Sequence, residues 1–144
     1  MADVTLEHLV LHLLALAESA GRLSPQARAR LAQLAADVDA DEKALALISA
    51  RLVTELYRDP AGRAALAAWD GLVPERYSLS LDAIQKELTN PEVEQASGAQ
   101  PLEPLESLAQ VTREALQDPE ALSRKENILR ALARLLNLTW PRPA

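Results

Sequence analysis

The chain predicts an all-α fold, a bundle of about six to seven helices, and three observations carry that prediction. The apolar fraction is 49% while aromatics are only 3%, so the core must be aliphatic, and its commonest members, Leu and Ala, are among the strongest helix formers. Four times a capping side chain stands directly before a proline, at Ser24-Pro25, Asp59-Pro60, Asn90-Pro91 and Asp118-Pro119. That pairing places an N-cap ahead of the one helical position where proline's missing N–H costs nothing. No stretch alternates apolar and polar residues as a half-buried strand does. At 144 residues one domain is expected. It would cover residues 1–138, with a looser division near 97–104, where Gly98, Pro101 and Pro104 gather, and a non-helical tail over 139–144.

Taken in order, the first helix is capped by Asp3 or Thr5 and runs to about Ala20, with Gly21 as a left-handed stop. At 100° per residue, Leu6, Leu9, Val10, Leu13, Leu14, Leu16, Ala17 and Ala20 form a broad apolar arc, and Leu11 and Ala15 fall outside it. A helix this apolar is either central in the bundle or buried against another chain. Ser24-Pro25 opens a second helix to about Ala36. Asp39 with Glu42 has capping-box spacing and opens a third to Arg58. Asp59-Pro60 starts a short fourth that stops at Asp70-Gly71. A loop holding Pro74 follows over 72–80. Ser80 caps a fifth helix to Leu88, and Asn90-Pro91 starts one more turn. Beyond the 97–104 linker lies a helix over 105–117. Asp118-Pro119 then opens a last helix to Leu138, its inner stripe made of Leu122, Ile128, Leu129, Leu132, Leu135 and Leu136. Trp140, in the tail, is expected to pack back on the bundle.

The composition narrows the chemistry. There is no cysteine, which removes disulfides, thiolate nucleophiles and thiolate-bound metals. No GxSxG elbow and no glycine-rich phosphate loop occur. The chain is therefore expected not to be an enzyme, to need no cofactor and to hold no small-molecule substrate. A net charge of −6 works against affinity for a phosphate backbone. The apolar run at 9–17 resembles the core of a secretion signal, but Asp3 and Glu7 precede it with no Lys or Arg. It also falls short of a membrane span, and a cytoplasmic location is expected. Two helix pairs, 25–36 with 39–48 and 81–88 with 91–96, have helix-turn-helix spacing. Their would-be reading helices open Asp39-Ala40-Asp41-Glu42 and Pro91-Glu92-Val93-Glu94, setting carboxylates against phosphates.

The leading expectation is a protein–protein interaction or assembly module, a small subunit or adaptor. Self-association through the first helix would use Leu11, the larger of the two apolar residues beyond its arc. A second contact would form around the 72–80 loop from Trp69, Arg76 and Tyr77, residue types enriched at interface hot spots. Two alternatives come from charge and from histidine. Residues 121–144 carry Arg124, Lys125, Arg130, Arg134 and Arg142 against Glu126 alone, whereas residues 82–120 are strongly acidic. The basic helix either pairs internally or, as an accessory subunit would, contacts nucleic acid through Arg124, Arg130 and Arg134. His8 and His12 stand four apart, a spacing at which two imidazoles chelate one metal, although a closed zinc site takes about four ligands.

Overall fold

A computed structural model describes residues 6–72, 81–88 and 104–141. Among them the fold is all-α, with eight helices and no strand: α1 (Leu6–Ser19), α2 (Pro25–Leu34), α3 (Glu42–Arg58), α4 (Pro60–Asp70), α5 (Leu81–Leu88), α6 (Pro104–Gln117), α7 (Pro119–Ser123) and α8 (Glu126–Leu135). Two 3-10 turns, Ala20–Arg22 and Ala35–Asp37, follow α1 and α2. The expected caps Asp3, Thr5 and Ser80, most of the 72–80 loop, the turn after Asn90 and nearly all of the 97–104 linker lie outside the described residues.

α1 is the axis of the bundle. It packs against α3, α4, α7 and α8, with a lesser contact to α6. Leu9, Val10, Leu13, Leu14 and Leu16 are fully enclosed. Leu11 is also in the core, only 3% exposed. The arc drawn from the sequence was too narrow, because neighbours cover α1 on nearly every side. Of the two possibilities for so apolar a helix, the central one is realised within a single chain, and Leu11 offers no outward face.

The three polar-cap-plus-proline starts among the described residues all form. Ser24 Oγ accepts from Ala27 N at 3.1 Å. Asp118 Oδ1 accepts from Ala121 N at 3.3 Å. Asp59 does more than cap α4. Its Oδ1 accepts from Ala61 N at 3.0 Å and Gly62 N at 3.5 Å, and its Oδ2 accepts from Ser24 N at 2.9 Å. One buried carboxylate therefore ties the beginning of α4 to the beginning of α2. Just after it, Gly62 lies so close to the end of α3 that a Cβ there would meet Leu56 O at 2.6 Å.

Three boundaries depart from expectation. Gly21 is not a left-handed stop. It sits inside the Ala20–Arg22 turn with its backbone outside the left-handed region, because side chains take the free carbonyls. Ser19 Oγ donates to Ala15 O at 2.9 Å and Arg28 Nη2 to Ala20 O at 2.8 Å. The cap of α3 is Asp41, whose Oδ2 accepts from Ala44 N at 3.0 Å, while Asp39 only accepts from the adjacent Ala40 N. Val38, buried and bonded through its carbonyl to Arg113 Nη2 on α6 at 3.0 Å, anchors the chain there and delays the turn into α3.

The last predicted helix is two helices, α7 and α8, parted at Arg124 and Lys125. Ser123 Oγ donates to Glu120 O at 2.7 Å, competing with the backbone for a helical acceptor, and Lys125 takes φ −93° and ψ 73°, outside the helix. α8 then ends before Leu138. Asn137 adopts φ 58°, Leu138 N donates to Ala133 O at 2.8 Å and Asn137 N to Arg134 O at 3.0 Å. That is the paired closure of a Schellman motif, with asparagine standing where glycine is usual.

Candidate interaction surface

The aromatic and histidine candidates turn inward. Trp69 is fully buried on α4 and stacks on Trp140, with centroids 5.9 Å apart and planes within 4°. Trp140 thus packs back as expected, and Trp69 is closed to any partner. Trp69 Nε1 is buried without a hydrogen-bond acceptor among the described residues. Arg76 and Tyr77 lie outside the described residues.

His8 and His12 stack at 6.3 Å with planes 16° apart. His8 is exposed while His12 is buried, its Nδ1 2.9 Å from Ser49 Oγ on α3. Burial first, and then the charge of His8, push the His12 imidazole down to about 4, with the Ser49 hydrogen bond opposing. His12 is therefore neutral at neutral pH and committed to a core contact. Among the described residues no three His, Asp or Glu side chains come together as metal donors.

Most of the basic strip is spent on internal pairs. Arg130 Nη2 donates to Glu126 Oε2 at 3.0 Å, Arg134 Nε to Glu87 Oε1 on α5 at 2.9 Å, and Lys125 Nζ to Glu114 Oε2 on α6 at 3.1 Å. Arg124 is exposed and forms no ion pair among the described residues. The geometry is that of pairing within the bundle.

A feature that sequence reasoning passed over stands out on α3. Leu47 is 66% exposed. It borders an open groove of about 520 Å³ between α2 and α3, lined also by Leu34, Ala50 and Thr54. Ion pairs form its rims. Arg51 Nη1 donates to Asp37 Oδ2 at 2.8 Å, Arg30 Nε to Glu55 Oε2 at 2.5 Å and Arg58 Nη1 to Glu55 Oε1 at 2.9 Å. Glu55 is 8% exposed, a carboxylate enclosed by two guanidinium groups. The signal was in the sequence. At 100° per residue, Lys43, Leu47, Arg51, Thr54 and Arg58 fall on one line of α3, and Leu47 is its one large apolar member.

Among the described residues no helix is long and apolar enough to cross a membrane. Compared with protein-family models, with curated proteins and with solved structures, the chain matches none.

Proposed function

We propose that the chain is a non-enzymatic, cytoplasmic protein-docking module, a small subunit or adaptor, and that it docks through the α2–α3 groove around Leu47. The observation that carries this reading is Leu47 itself, a 66% exposed leucine beside a groove whose lining carries the arginine–carboxylate pairs Arg30–Glu55 and Arg51–Asp37. Burying a leucine side chain gains about 1.5–3 kcal/mol, a gain open to a partner that covers it. An apolar centre with a polar, arginine-bearing rim is the usual anatomy of an interface. Leu11 lies in the core, so the docking face moves from α1 to α3. The internal pairs of Arg130 and Arg134 withdraw support from nucleic-acid contact through α8.

The test places a photo-crosslinking residue at position 47 in the cells that make the protein, with a second variant carrying it at exposed Gln110 as control. A discrete adduct from position 47 alone, identified by mass spectrometry and rebuilt from purified proteins, is the expected result. Equal adducts from both positions, or none from position 47, would refute the reading.

A further inference from the structure

We infer that the partner this face fits is a second copy of the chain, docked antiparallel along α3 about a two-fold axis level with Leu52. The inference rests on the docking reading above and names the occupant. Three large apolar side chains are exposed among the described residues, Leu47, Tyr57 and Leu72, and the two most exposed stand on α3, at 66% and 58%. Leu47, Ala50, Thr54 and Tyr57 follow at intervals of three, four and three residues, the spacing of a coiled-coil seam. At 100° per residue they fall within a sector of about 80°. Thr54 Oγ1 donates to Ala50 O at 3.0 Å, so its hydroxyl proton is already placed and a partner can cover it without stranding a donor.

Along this seam the order is large, small, small, large, and it reads the same in both directions. A two-fold contact requires that property, since wherever residue i meets j, j must also meet i. Reversal about Leu52 sets Leu47 against Tyr57 of the second copy and Ala50 against its Thr54. The small central pair lets the two backbones approach. The large side chains close the ends, with each tyrosine hydroxyl left at the wet rim. Charge permits the match. The groove lining beside the seam holds Arg30 and Arg51 against Glu55 and Asp37, already paired, so that lining has no net charge with which to repel its copy.

Size sets the strength. The 17 residues of α3 make a helix about 25 Å long and 10–12 Å wide. One such face falls well below the ~800 Å² per partner of a standard interface, and a reversible dimer with a Kd of ~10–100 µM is expected.

Light scattering on the full chain tests this across a concentration series. The mass should rise from 15.6 kDa at ~1 µM toward twice that value at ~300 µM, concentrations that bracket the expected Kd. Leu47→Glu and Tyr57→Glu, each with unchanged circular dichroism, should weaken the dimer by about tenfold or more, whereas Leu72→Glu should leave it intact. The chain has no cysteine, so introduced thiols report the orientation. Oxidising a mixture of Ala50→Cys and Thr54→Cys chains should yield a dimer with one chain of each, because reversal brings those positions within disulfide reach. Leu47→Cys should not link to itself, since an antiparallel pair holds those two positions about 15 Å apart along the axis.

A mass of 15.6 kDa throughout the series overturns the inference. So does a dimer indifferent to Leu47→Glu, a dimer weakened equally by Leu72→Glu, or a Leu47→Cys chain that links to itself. A specific adduct between position 47 and a different protein, with the mass constant, would leave the docking reading standing and remove only the second copy.

Discussion

Replacing Asp59 by alanine removes the acceptor from two helix starts at once. The side chain is 5% exposed and takes its hydrogen bonds from Ser24, Ala61 and Gly62. Loss of an N-cap costs about 1 kcal/mol and up to about 2. The Ser24 amide, bonded to a charged acceptor, adds about 1.5–3 kcal/mol. Since the bonds share one group they do not add fully, and a total of about 2–4 kcal/mol is expected. For a chain of this size that lowers Tm by roughly 6–12 °C. Burial alone would raise the Asp59 carboxyl, but donation from Ser24, Ala61 and Gly62 outweighs it and holds the group below the ordinary 3.8. A carboxyl depressed on folding contributes stability above its unfolded pKa, and that contribution is lost as pH falls through the folded value. Urea unfolding followed by far-ultraviolet circular dichroism should therefore show a gap between wild type and Asp59→Ala that is constant near neutrality. The gap should narrow below about pH 4. A cost under ~0.5 kcal/mol at neutral pH, the ordinary range for a surface substitution, or a gap unchanged by acid, would refute this account of Asp59.

Leu11→Glu places a carboxylate where the side chain is 3% exposed and should cost at least about 4 kcal/mol; a native-like urea transition would return this residue to the surface. Leu47→Glu, by contrast, should stay within about 0.5 kcal/mol of wild type. Gly62→Ala gains about 1 kcal/mol of helix propensity but drives a Cβ to 2.6 Å from Leu56 O. Overpacking at about 1–3 kcal/mol should win, and increased stability would show that α3 and α4 separate freely. His12, brought from 6.5 to about 4 on folding, contributes stability that is complete above the unfolded pKa and is lost as pH falls from about 6.5 toward 4, about 3 kcal/mol in all. Chemical unfolding of His12→Gln across that window should give a shallower pH dependence than wild type, and parallel curves would dismiss the buried imidazole as its source.

What the sequence disclosed and withheld follows from range. Ser24-Pro25, Asp59-Pro60 and Asp118-Pro119 could be read because a cap bonds to an amide two or three residues away. Asp39 and Asp41 have nearly equal local claims on the start of α3, and the choice falls to Val38 and Arg113, 75 residues apart. The break between α7 and α8 left no trace in the apolar stripe, since Leu122 and Leu129 are seven residues apart and keep one face through it. His8 and His12 share a spacing but not an environment, because Ser49 claims only one of them from another helix. The stripe centred on Leu47 was legible and was overshadowed by Trp69, whose residue type suggested a contact although its side chain belongs to the core.

The Schellman turn at Asn137 has an optical consequence. By reversing the chain after α8 it precedes the stretch that lays Trp140 on Trp69, and these are the two tryptophans of the whole protein. The tryptophan emission therefore arises from a single stacked pair and describes one contact, between the chain beyond α8 and the α4 surface. Helix content and indole emission watch different events in this molecule. Should the last residues peel away before the bundle melts, a local opening of the kind that precedes global unfolding, the fluorescence would change while the helical signal stayed level. The protein carries a label-free indicator of that detachment within its own sequence.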